Sequence, residues 1–128
     1  MIFVDSNVFI YAVGRSHPLR EEAQRFFVQS SKEGKRLVTS AEVLQELLYV
    51  YLPVRRLETL DTALALATQG VDQVIPIDSE TVLHARDLAG RHSELTSRDL
   101  LHLAVCQINH IRELKTFDRT LLTAFKKW

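Results

Sequence analysis

Residues 2–11, IFVDSNVFIY, run from three apolar residues through an acid and two small polar residues into a second apolar stretch. Ile2, Phe3 and Val4 read as a short strand buried on both faces, because a half-buried strand would alternate apolar with polar side chains. Asp5 and Ser6 make the turn that ends it, and a short helix follows through Tyr11. A buried strand that runs straight into a helix is the repeating unit of a parallel sheet covered by helices. In such sheets the functional crevice lies outside the carboxyl ends of the strands, where Asp5 stands.

The same alternation continues along the chain. Pro18 suits the first turn of a helix that Ala23, Phe26 and Phe27 carry toward Lys32, with Gly34 as its stop. Residues 36–39 give a second strand, and a helix over 40–52 breaks at Pro53. Another helix is expected over 55–68 and a third strand over 74–77. Asp78 and Ser79 then cap a helix to Leu88, Thr96 opens a helix through Ile108, and residues 113–117 form a fourth strand before a last short helix. The expected fold is α/β, with three α/β/α layers around a central parallel sheet of four or five strands. No Gly/Pro/Ser-rich stretch is long enough for a linker, so residues 1–128 are expected to form a single domain.

Composition removes several classes of function. Lys plus Arg equals Asp plus Glu at 16 each, so net charge supplies no general attraction for nucleic acid, and a polyanion must be held by a local patch or a metal. The apolar start lacks a basic leader, carries Asp5 early and falls short of the ~20 residues of a membrane span. Neither a signal peptide nor an anchor is expected, nor any membrane partner. Cys106, the single cysteine, lies in LLHLAVCQI and reads as a small buried hydrophobe in a protein of the reducing cytoplasm.

Four acids stand beside apolar runs: Asp5, Glu46 in AEVLQELLYV, Asp99 in TSRDLLHLAV and Asp118 in KTFDRTLL. Each has an ordinary reading. Asp5 and Asp118 suit helix N-caps, and Asp99 completes a Thr-x-x-Asp capping box from Thr96. Glu46 falls in a helix interior, four residues after Glu42, where a glutamate is ordinarily solvated. Taken together they describe an oxygen-rich pocket at one sheet edge, which suits a hard cation such as Mg2+ or Mn2+.

The segments FVDSNVFIYA, LQELLYV, SRDLLHLAV and KTFDRTLL, in this order over almost the whole chain, resemble the four acidic motifs of PIN-domain ribonucleases. The likeness is greatest to the VapC-type toxins of toxin–antitoxin pairs. It implies a PIN-like fold and a metal-dependent endoribonuclease, with Asp5, Glu46, Asp99 and Asp118 at the catalytic positions. Asp5, Asp99 and Asp118 would ligate Mg2+ or Mn2+, and Glu46 would ligate directly, act through a water or take a proton. Ser6 and Asn7 match the polar residues that follow the first acid, and Thr116 matches the hydroxyl residue two before the last.

Arg98 and Arg119 adjoin acids and rank ahead of Arg15 and Arg20 as contacts to RNA phosphates. His102, one turn beyond Asp99, reads as a core or supporting histidine rather than a ligand. His17, His84, His92 and His110 read as surface or packing residues. The segment LLYVYLPVRRLETL carries more large apolar residues than one helix face buries, which points to a homodimer built on the helices either side of Pro53. The resemblance adds a cognate antitoxin whose segment blocks the active site. Rival readings are a housekeeping RNA-processing nuclease, a catalytically dead PIN fold used for binding, and a receiver-like signalling domain that binds Mg2+ and is phosphorylated on Asp78.

Overall fold

A computed structural model describes residues 1–128. Strand β1 (Ile2–Val4) is followed by helices α1 (Ser6–Val13) and α2 (Pro18–Lys32), then β2 (Leu37–Ser40), α3 (Ala41–Tyr51) and α4 (Leu57–Gln69). Next come β3 (Gln73–Ile75), α5 (Ser79–Ala89), α6 (Ser97–Ile108), β4 (Glu113–Lys115) and α7 (Arg119–Lys126). The four strands form one parallel sheet in the order β3-β2-β1-β4.

That order explains the burial. The central strands β1 and β2 are buried at every residue, whereas the edge strands β3 and β4 are partly exposed. Phe3, Val4, Val38, Val43, Leu47, Leu103 and Ile111 join in one continuous core, and Cys106 lies buried within it as expected. Burial pushes the Cys106 thiol far up, so it stays protonated as a packing group.

The chain steps from β1 to β2 to β3 in one direction and then returns to place β4 on the other side of β1. The switch point therefore lies between β1 and β4, and a crevice opens at their carboxyl ends. Asp5 directly follows β1, and its backbone N–H continues the ladder to the Lys115 carbonyl at 3.0 Å. Asp118 lies just beyond β4.

Element ends differ from expectation for local reasons. Pro76 has no N–H to donate, so β3 stops at Ile75 rather than reaching residue 77. Arg55 takes φ 56°, which a helix does not accept, so α4 begins at Leu57. β4 ends at Lys115 because the next backbone donors turn to side chains: Phe117 N–H bonds Asn7 Oδ1 at 3.1 Å and Asp118 N–H bonds Thr116 Oγ1 at 3.0 Å. No helix is long and apolar enough to cross a membrane.

Candidate active site

The turn after β1 builds the floor of the crevice. Asp5 caps α1 by accepting the Ser6 N–H on Oδ1 at 2.7 Å, while its Oδ2 accepts the Thr116 hydroxyl at 2.7 Å and the Asn7 amide at 3.3 Å. Thr116 Oγ1 has one proton and two lone pairs, and all three are used: it donates to Asp5 and accepts from Asn7 Nδ2 and Asp118 N–H. Asn7 is equally occupied, since its Oδ1 accepts from Phe117 N–H. Ser6, Asn7 and Thr116 thus fix the Asp5 carboxylate from both sides of the switch point.

Glu46 is buried rather than solvated, on the face of α3 turned to the sheet. Its Oε2 accepts the Ser6 hydroxyl, and its Oε1 lies 2.6 Å from His102 Nε2. Burial pushes the Glu46 carboxyl up, but the His102 hydrogen bond and charge, the Ser6 hydroxyl and Arg98 outweigh it and hold it below the ordinary carboxylate range. His102 is itself buried, and its Nε2 also faces Asp5 Oδ1 at 3.4 Å. Burial alone would pull the imidazole down; Glu46, Asp5 and Asp99 reverse this and raise it, which favours the imidazolium. The ring stacks obliquely on Phe3, with centroids 5.4 Å apart.

Asp5, Glu46 and His102 form a cluster whose ligand atoms all lie within 4.8 Å of one another. Asp99 and Asp118 stand outside it, in the first turn of α6 and at the N-cap of α7. They nonetheless sense each other. Burial, then the charge of Asp118, then that of Asp5 push the Asp99 carboxyl up, with Thr96 and His102 opposing. Asp118 caps α7 through Oδ1, which accepts the Thr120 and Leu121 N–H groups at 2.9 and 3.2 Å, and its Oδ2 takes part in no hydrogen bond.

The helix-cap readings of Asp5 and Asp118 are therefore correct, and each cap leaves the carboxylate facing the crevice edge. Asp99 is different. The cap at that helix is Thr96 Oγ1, which accepts the Asp99 N–H at 3.3 Å, a backbone bond that does not depend on the charge of the Asp99 side chain. Asp99→Asn should consequently melt no lower than wild type in EDTA, because it removes a desolvated charge beside two others and keeps the cap. Saturation with a divalent cation to about 100 times its dissociation constant should add ~2.7 kcal/mol to wild type and far less to the variant. Equal gains for the two proteins would remove Asp99 from the metal site.

Two groups escaped the sequence reading. Glu42 lies one turn before Glu46, half-buried, and burial followed by the Glu46 charge raises its carboxyl. The i, i+4 spacing was its signal. The other is the pairing of His102 with Glu46, 56 residues away, which local spacing does not reveal. Arg98 lies at the crevice lip, its guanidinium 4.1 Å from the centre of the exposed Tyr49 ring. Arg119 is exposed beside Asp118. Asp78 accepts the Thr81 N–H and hydroxyl at 2.9 and 2.8 Å as a helix cap, beyond the edge strand β3. Asp78 therefore stands at the far edge of the sheet from the β1/β4 switch point and joins none of the other acids, which the receiver-like reading requires.

Comparison with known proteins agrees with this layout. The PIN domain family model matches residues 2–126. Ribonuclease VapC23 of Mycobacterium tuberculosis is 53% identical over 126 residues, covering 98% of this chain and 99% of that one. Ribonuclease VapC13 of the same species is 44% identical over 119 residues, 93% and 91% of the two chains. The crystal structure of M. tuberculosis VapC20, described as a sarcin-ricin loop cleaving toxin, superposes with a TM-score of 0.84 at 21% identity, covering 97% of this chain and 95% of that one. VapBC2 from Rickettsia felis, bound to a DNA fragment from its promoter, gives 0.68 at 16% identity, with 99% and 92% covered. An acid-lined switch point, a matching family model and near-full-length relatives lead to one conclusion: the chain belongs to the PIN domain family, among its VapC ribonucleases.

Proposed function

We propose that this protein, one domain over residues 1–128, is a divalent-metal-dependent endoribonuclease and the toxin of a type II toxin–antitoxin pair, acting in the cytoplasm on RNA. The observation that supports the reading is the Asp5–Glu46–His102 cluster at the β1/β4 switch point, with Asp99 near enough that, after burial, the charges of Asp118 and Asp5 push its carboxyl up. Those residues fit a hard cation. Their donors are carboxylate oxygens, one of Asp118's is free of hydrogen bonds, and the repulsion around Asp99 is what a cation relieves.

Asp5, Asp99 and Asp118 would hold Mg2+ or Mn2+. When bound, such an ion polarises a phosphoryl oxygen and lowers the pKa of water. Every other part belongs to the chain. Thr116, Asn7 and Ser6 fix the orientation of Asp5, so its carboxylate would meet a cation without reorganisation. Glu46, kept ionised by His102 and Ser6, is available to accept a proton or to hold a water. Arg98, steadied on Tyr49, would meet a flanking phosphate.

Incubation of the purified protein with total RNA, with Mg2+ or Mn2+ and with EDTA, tests this reading. New 5′ and 3′ ends should appear at discrete positions only with metal, and RNA left intact under both conditions overturns it.

Two partners complete the proposal: a cognate antitoxin that covers the acid crevice, and a second copy of the chain. Tyr49 and Val54 are 59% and 62% exposed, and Leu48, Val50, Leu52 and Leu57 add to the same α3–α4 surface. An apolar surface of this kind is unusual on a monomer. Light scattering at micromolar concentration should give twice the chain mass, and Val54→Glu should shift it toward the monomer.

A further inference from the structure

Beside the acid crevice lies a second cleft of about 390 Å3 with no apolar residue in its lining. Arg91 and His92 form one wall with Glu94, and Arg119 and Lys127 stand across from them at the two ends of α7. Both walls are extensions of elements that carry site acids. Glu94 lies two residues before Thr96, the cap of the helix that holds Asp99. Thr120, another lining residue, donates its N–H to Asp118. The cleft therefore abuts the acid crevice on its Asp118 side.

Its charge is unbalanced. The one acid, Glu94, lies 3.4 Å from His92 Nδ1, and Arg91, Arg119 and Lys127 form no ion pair, although the chain as a whole carries equal numbers of acids and bases. Three exposed cations around a polar cleft, of which Lys127 alone also lies in the field of Glu94, match a run of phosphates, since phosphodiester contacts come from Arg and Lys side chains and hydroxyls and read no sequence.

We propose that this cleft is a binding track for the phosphodiester backbone of a single-stranded RNA, which it leads to the acid crevice past Asp118. The inference rests on the nuclease reading above and extends it to residues with no part in the chemistry. The track holds the strand by charge and leaves base choice to other contacts.

The test compares wild type with the triple variant Arg91→Gln/Arg119→Gln/Lys127→Gln and with a charge control, Arg25→Gln/Lys35→Gln. The control residues line a different cleft near Ile2, at the opposite end of the sheet. Binding of a labelled ~20-nucleotide single-stranded RNA is measured in EDTA across a salt series, and cleavage of total RNA is measured with Mg2+. The triple variant should bind roughly tenfold or more weakly at low salt, with the slope of log affinity against log salt reduced by about 2, at about 0.7 per lost phosphate contact. Its KM should rise while kcat stays within about twofold. The control should match wild type in every readout.

Wild-type binding, slope and KM in the triple variant, with wild-type cleavage intact, overturn the track and leave the nuclease standing; the cleft would then suit an acidic protein segment. Equal losses in triple variant and control reduce the effect to net charge and also overturn it. A wild-type protein that neither binds nor cleaves RNA overturns both readings.

Discussion

Asp5→Asn and Asp118→Asn are each expected to lower metal-dependent RNA cleavage by about 100- to 1000-fold while the fold persists. The magnitude follows from losing a carboxylate that would hold a cation where negative charge develops on the phosphate. Helix capping alone predicts something else, because Asn is as good an N-cap as Asp and costs little stability. Asp5 gives the sharper case, since four neighbouring groups hold its two oxygens in place and Asn reproduces most of that shape without the charge. Thr116→Val is the companion variant. It keeps every acid but removes the hydroxyl that links Asp5, Asn7 and Asp118, so activity should drop through misplacement rather than lost charge. Near wild-type cleavage by folded Asp5→Asn and Asp118→Asn would end the assignment of these acids.

His102→Leu should cost ~3–5 kcal/mol of stability, because it strands the Glu46 carboxylate in the core and removes a neighbour of Asp5. A domain of this size holds only about 5–15 kcal/mol, so the variant is expected to melt roughly 10 °C lower or more. Leucine matches the ring poorly but is apolar, and Phe3 packs there, so lost packing is the lesser part of the loss. The double variant His102→Leu/Glu46→Leu separates the two. With neither charge left, it should be much more stable than the sum of the single losses predicts. Urea denaturation of the four proteins provides the measurement. A His102→Leu protein within about 1 kcal/mol of wild type would show that Glu46 needs no partner there.

This pair marks the boundary of what the sequence discloses. Asp5 and Asp118 were visible because each sits where a strand gives way to a helix start, and Asp99 because it follows the Thr96 helix opening; such places are written locally. The β1 strand was legible for the same reason, since a parallel strand buried on both faces is an unbroken apolar run; β2, half of it the polar Thr39 and Ser40, was legible to within one residue at each end. Glu46 could be named only through a motif, since its helix position suggests a solvated residue and its burial depends on His102 and Ser6 arriving from other elements. Glu42 and the basic cleft were missed because exposure and charge balance are properties of the assembled surface. Arg91 and Lys127 are 36 positions apart and share no pattern with each other or with Arg119.

The β1/β4 switch point has a consequence for the order of synthesis. Asp5 leaves the ribosome 111 residues ahead of Thr116, which fixes its carboxylate, and Asp118 follows later still. A nascent chain whose β4 has not yet emerged can fold the helices made before it but carries no closed site. Translation of a ribonuclease beside ribosomal and messenger RNA thus proceeds with the enzyme inert, and a stalled chain of that length is expected to leave RNA intact. The interval between completion of the site and its first cut is the time in which an antitoxin made alongside can reach it.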